Sequence, residues 1–263
     1  MGRVIELDAS TFLLQWSVGG IFGCWYTTRR REVGLGYGWL LRIVFGTLLI
    51  AGVFIGWATD EDGSAVTLRN AFTTAMAVAV LVALGGSLVL RRLVSGSDGR
   101  GFDPRFDLLA VFPGLIGLVA AAVSAGGNDA LAIARLVVGA AFLGFVTDAM
   151  LLGHWYLVQP GLPRRHVNEV VRVFLYIWPL EVVVMLIPTG MISVLTGAVD
   201  DGWGGTLGWF WLACAVTTGM LGFTTTRALR EPSYSAVMAA TGLMYLAILT
   251  AFGTDLVARA TLS

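Results

Sequence analysis

Of the ionisable residues inside the long apolar stretches of the chain, Asp148, His154, Arg172 and Glu181 are the clearest candidates for chemistry. Charge at membrane depth is costly and usually faces a cavity or a partner group. A quinone pocket needs an apolar slot, a proton-exchanging side chain and hydrogen-bonding aromatic or arginine groups near one membrane face. Asp148, His154, Trp155, Tyr156 and Arg172 supply that set. By helical rise, Asp148 lies about 9 Å inward of His154, and Glu181 about 13–14 Å inward of Arg172. The spacing predicts a polar track entering from one face, with Asp148 and Glu181 relaying protons. Trp178-Pro179 precedes Glu181 and Pro188 follows it. Proline frees carbonyls and bends a helix, which opens polar space at depth.

Plainer roles exist for each group. His154, Trp155 and Tyr156 also suit an interfacial anchor, and Arg172 suits a side chain that snorkels to the headgroups. Asp148 can bond a neighbouring hydroxyl, and Glu181 can pair with an arginine. Met150 and His154 share a helix face, but such a methionine is ordinarily packing. The two histidines, His154 and His166, flank a proline-containing turn, which disfavours a bis-histidine haem within the chain. Haem with another axial ligand, or with a partner chain's histidine, stays open. There is no nucleophile–base pair, zinc motif or phosphate-binding loop. Gly34-x-Gly36-x-Gly38 reads as a flexible turn. Cys24 and Cys214 both lie in apolar segments, and nothing in the sequence supports a disulfide between them.

The elements that must position these groups are membrane helices. Of 263 residues, 57% are apolar and 13% charged, and mean hydropathy is +0.80, too little charge to cover a soluble domain. Eight apolar runs of about the length that crosses a bilayer are present: about 11–28, 37–57, 70–90, 107–125, 132–157, 170–197, 205–226 and 235–257. The fold class expected is an all-α integral membrane protein. Its N-terminus lacks the basic and small-residue features of a signal peptide, so the first run is expected to be a retained helix.

All 17 basic residues are arginine, as a GC-rich genome favours, and zero net charge gives no reason to expect nucleic-acid binding. Eleven arginines fall in the loops after runs one, three, five and seven, among them Arg29-Arg30-Arg31 and Arg164-Arg165. The other side has Arg3, Arg69, Arg259 and, near the start of run five, Arg135, beside acidic loops at Asp60-Glu61-Asp62 and Asp200-Asp201. The positive-inside rule places the arginine loops in the cytoplasm and both termini outside. The expected location is a bacterial or archaeal inner membrane.

Gly23-Cys24-Trp25-Tyr26 and Gly153-His154-Trp155-Tyr156 repeat one phrase 130 residues apart, and at that offset Arg42 falls on Arg172. Asp103-Pro104-Arg105-Phe106 and Glu231-Pro232-Ser233-Tyr234 precede runs four and eight. The pattern predicts a parallel repeat of two four-helix bundles, residues 1–130 and 131–263. Asp148, His154 and Glu181 correspond to Val18, Cys24 and Ala51, so the second copy is expected to carry the site and the first to be scaffold.

Two functions fit. One is a membrane subunit of a larger respiratory or redox complex, binding a quinone or similar amphiphile near the cytoplasmic face, with other protein subunits and the lipid bilayer as partners. The alternative is a proton-coupled small-solute transporter with acidic residues between the repeats. A lipid-directed enzyme is a weaker third option, lacking an identifiable nucleophile.

Overall fold

A computed structural model describes residues 8–59, 63–93, 102–125, 129–187 and 190–262. Among them are nine α-helices and no strand: α1 (Ala9–Thr28), α2 (Leu35–Thr59), α3 (Ser64–Leu93), α4 (Arg105–Ala125), α5 (Asp129–Val158), α6 (Arg165–Leu186), α7 (Gly190–Leu195), α8 (Thr206–Ala228) and α9 (Tyr234–Leu262). Six, namely α2, α3, α4, α5, α8 and α9, are long and apolar enough to cross a membrane. The protein is therefore an all-helical, multi-pass type of chain whose exposed side chains are largely apolar, as contact with lipid tails requires.

The sixth run does not form one helix. α6 stops at Leu186, and Ile187 turns extended (φ −93°, ψ 152°) before α7 begins at Gly190. The residue before a proline is pushed out of the helical region, and Ile187 precedes Pro188. Pro188 itself lies outside the described residues. Pro179, by contrast, is accommodated within α6.

Helices α1, α2, α3 and α4 pack in a closed ring, each on the next and α4 back on α1. α5, α6, α8 and α9 close a second ring in the same sequence. The rings meet chiefly along α1 and α5. There a Cβ on Gly19 would overlap the Ala140 carbonyl oxygen, and one on Gly144 would overlap the Gly19 backbone. Absence of side chains lets the backbones touch, and in lipid such close packing replaces the hydrophobic drive between helices. One continuous core runs across both rings.

Asp8 caps α1 by accepting from the amides of Ser10 (3.0 Å) and Thr11 (2.9 Å), and it also pairs with Arg69 of α3. Partial burial pushes the Asp8 carboxyl up, but the Thr11 hydroxyl, the Arg69 guanidinium and the two amides together hold it below the usual carboxylate range. At the other end, Glu32 in the α1–α2 loop pairs with Arg165 and lies 2.7 Å from His166 Nε2. Glu169 on α6 receives Arg29 (2.7 Å) and Arg30 (2.9 Å). This clasp joins the two rings at their arginine-rich end. Gly36 and Gly38 are not in a turn but inside the first turns of α2, where a Cβ on Gly36 would lie 2.7 Å from the Trp155 ring.

Candidate functional site

The sequence-predicted residues do not form one track. Asp148 is fully buried and faces the first ring: Thr27 Oγ1 donates to it at 2.5 Å, and the Tyr37 hydroxyl also donates to it. His154 is exposed, its ring 6.0 Å from that of Tyr245 on α9. Six residues of helix rotate a side chain by about 240°, so Asp148 and His154 point to different faces of α5. Trp155 donates to Gln159 Oε1 (3.1 Å) and lies against Tyr37. Tyr156 is buried, its hydroxyl donating to the Pro163 carbonyl (2.7 Å). Tyr156 thus ties the α5–α6 corner, and Trp155 packs the end of α5 against α2.

Arg172 is exposed, in an open groove shared with Arg30, Arg165, Glu169 and Arg230. Glu181 is completely buried. Nine residues separate them on α6, which puts them on roughly opposite faces at 3.6 residues per turn. The structure therefore brings together neither His154, Asp148 and Arg172, nor Asp148 and Glu181.

Two buried polar clusters exist instead, at opposite ends of the helices. The first lies toward the arginine-rich end. Arg42 on α2 donates through Nε and Nη2 to the two carboxylate oxygens of Asp107 on α4, each at 2.7 Å, with both side chains almost fully buried. Cys24 Sγ donates to Asp107 at 3.7 Å. The Arg42 guanidinium also sits 4.5 Å over the Phe102 ring, and a small pocket beside Thr28 and Arg31 reaches it. The first half is not an apolar scaffold. Cys24 stands where the repeat has His154, but it belongs to an ion-pair cluster. Asp148, from the second half, completes the same polar region.

The second cluster lies at the end where α1 begins and α9 finishes. Arg259 donates through Nε to Asp255 Oδ2 (2.8 Å) on the same helix and through Nη2 to Gln15 Oε1 of α1. Gln15 Nε2 returns a bond to Asp255 Oδ1 (3.1 Å). Arg135 on α5 donates to the carbonyls of Val184 (2.9 Å) and Ile187 (2.6 Å), the last of which flanks the break between α6 and α7. Broken helix ends leave carbonyls without intrahelical partners, and Arg135 supplies them. Glu181 interacts electrostatically with Asp255, Arg259 and Arg135.

What sets the second cluster apart is what it leaves unmade. Six buried side-chain atoms among the described residues lack a hydrogen-bond partner, and five belong to Arg135, Glu181, Trp211 and Arg259. They are Nη1 of each arginine, both carboxylate oxygens of Glu181 and the indole Nε1 of Trp211. Trp211 lies in the small apolar core at this same end, with Met185, Met191 and Ala258. An unpartnered buried polar atom costs about 1–3 kcal/mol, so such a concentration marks a place for water or a ligand.

Of this cluster, Glu181 alone stands out in the sequence. Arg135 and Arg259 read as charges at the arginine-poor side, Asp255 carries no motif, and Gln15 is a single polar residue in an apolar run. A signal was present in Asp255 and Arg259, an acid–base pair one turn apart near the end of a long apolar segment. Comparisons with family models, with curated proteins and with solved structures find no match to the chain.

Proposed function

We propose that this protein is a proton-coupled transporter of a small solute, with Glu181 as the proton carrier and the Glu181–Arg135–Arg259–Asp255 cluster as the solute site. The carrying observation is the set of five unpartnered buried polar atoms in one end of one helical ring. The break between α6 and α7 supports it, because transporters commonly build their sites at discontinuous helices whose freed backbone groups line a cavity. Asp148, buried between the rings with hydroxyl donors and no arginine bonded to it, is a second proton station toward the opposite end.

The same proposal includes eight crossings. α1 and α6, with 20 and 22 residues, are long enough to span about 30 Å, and neighbouring helices take up their polar faces. Residues 1–130 and 131–263 are then two four-helix halves of a parallel repeat, a reading that the two closed rings favour. Arginine counting orients them with the arginine-rich loops in the cytoplasm of a bacterial or archaeal cell and both termini outside.

Reconstitution in proteoliposomes carrying a pH-sensitive dye tests the reading. Addition of the right solute should move protons in the wild type and not in Glu181→Gln. A wide panel of small solutes, none of which moves protons, would overturn it.

A second reading is a quinone-binding subunit of a respiratory complex. One observation favours it: His154 is exposed beside Tyr245 near the arginine-rich end, where an amphiphile in the bilayer could reach both. Purification from native membranes with mass spectrometry and an optical redox spectrum decides it. A chain isolated alone and colourless would remove this reading.

A further inference from the structure

We infer that the transported solute is a small monoanion, a monocarboxylate in its simplest form, which binds between Arg135 and Arg259 only when Glu181 carries a proton. The inference rests on the transporter reading and names its substrate class. Four charged side chains define the site: Arg135 and Arg259, against Asp255 and Glu181, all completely buried. With both carboxylates ionised these charges cancel, and an added anion would be left uncompensated in a medium of low dielectric.

The hydrogen bonds decide which charge is committed. Asp255 is occupied by Arg259 and Gln15. Arg135 has spent Nε on the Val184 carbonyl of α6 and Nη2 on that of Ile187 just beyond it, and Arg259 has spent Nε and Nη2 on Asp255 and Gln15. Each guanidinium keeps Nη1 for something else, and Glu181 keeps both oxygens. Protonating Glu181 removes one negative charge and leaves a single uncompensated positive charge. It also adds a carboxyl O–H donor to the two free Nη1 groups.

That combination fits one negative charge borne on two or three acceptor oxygens. A dianion would again leave excess charge. A cation would face two arginines, and a neutral solute would leave the positive charge unanswered. Among the described residues, Asp255, Arg259 and Arg135 are the charged groups acting on Glu181; α7 presents Met191 and Val194, α8 presents Trp211, and Cys214 of α8 is turned toward Gly253. Gln15, from α1, does not titrate.

The proton balance is simple. Glu181 takes one proton as the anion enters, and proton and anion leave together on the other side. Net charge moved is zero, so uptake should respond to a pH gradient and not to membrane potential. Occupied, the site pairs the free Nη1 groups. Emptied and deprotonated, it returns to internal neutrality.

Binding is measured apart from transport, on the purified protein in nanodiscs, by tryptophan fluorescence. Propionate, succinate and methylammonium serve as probes, and Trp211→Phe as the control for the reporter. Propionate should change the fluorescence saturably, with its affinity falling about tenfold per pH unit above the Glu181 transition, as uptake of one proton requires. Glu181→Gln, a neutral isostere, should bind propionate with an affinity that no longer depends on pH. Arg259→Gln and Arg135→Gln should each lose binding, and Arg259→Lys should keep part of it.

Preference for succinate or methylammonium, failure of all three probes, or a Glu181→Gln protein that is monodisperse yet binds no anion would each overturn the inference. The two levels separate cleanly. Proton-linked movement of a cation or a neutral solute would end the monoanion assignment and leave the transporter reading standing. Propionate binding without any proton movement in proteoliposomes would do the reverse.

Discussion

Gln15 on α1 donates a 3.1 Å hydrogen bond to Asp255 on α9, reaching from the first helical ring into the charged cluster of the second. The reciprocal reach comes from Asp148 on α5, which accepts from Thr27 at 2.5 Å inside the first ring. The two central helices thus each lend a polar side chain to the other ring's buried cluster. A change at either contact should be felt across the α1–α5 seam.

Gln15→Leu should leave the fold intact, because the replacement suits an apolar interior, but it removes an acceptor from Arg259 and a donor from Asp255. On the proposed transporter reading, uptake should fall several-fold while stability drops by about 1–3 kcal/mol at most. Paired uptake and thermal-unfolding measurements on the purified protein check this. Equal uptake by wild type and variant would show that Gln15 does not tune the site.

The Arg42–Asp107 pair is buried and bidentate, so removing one partner strands the other charge. Asp107→Ala should destabilise by about 3–5 kcal/mol, whereas Arg42→Met with Asp107→Leu should recover much of that loss. A thermal-unfolding double-mutant cycle measures it. If the double variant is as unstable as Asp107→Ala, the pair has a role beyond charge compensation.

Gly19 cannot carry a Cβ without displacing the Ala140 carbonyl. Gly19→Ala should therefore separate α1 from α5 and cost about 1–3 kcal/mol through overpacking, and Gly19→Leu should cost more. Gly85, which has open space around it, provides the control. Similar unfolding temperatures for Gly19→Ala and Gly85→Ala would contradict the close crossing.

At the arginine-rich end, hydrogen bonds from Arg165 and then His166 hold the Glu32 carboxyl down, from its ordinary 4.5 to about 2. A depressed folded-state value contributes stability that is present above pH 4.5 and is lost as pH falls toward about 2. The difference in unfolding temperature between wild type and Glu32→Gln should be positive near neutrality and shrink across that window. A difference constant with pH would mean that the clasp does not depend on Glu32 ionisation.

Orientation is checked by labelling. Single cysteines in place of Arg30 or Arg230 should resist an impermeant thiol reagent in intact cells and react once the membrane is opened. A cysteine at Asp200 should react in both. The native Cys24 and Cys214 are buried, which keeps the background low. Labelling of Arg30→Cys in intact cells would invert the topology.

The helices themselves were legible in the sequence, because an apolar run of bilayer length forces its backbone to bond internally whatever surrounds it. The run at 37–57 became Leu35–Thr59 and that at 107–125 became Arg105–Ala125. Where 170–197 was broken, Pro188 had already marked the place. The burial of Glu181 was also legible, from its place in a long apolar run. Its charged neighbours were not, since Arg135 on α5 and Asp255 and Arg259 on α9 lie on two other helices and are far from it in sequence. Even the divergence of Asp148 from His154, and of Arg172 from Glu181, follows from helical rotation alone. Which neighbour each face meets does not. That was decided by packing, such as the close approach of α1 and α5 at Gly19 and Gly144, which side-chain-free backbone permits. Local composition sets the segments; only their packing sets which buried charges become neighbours.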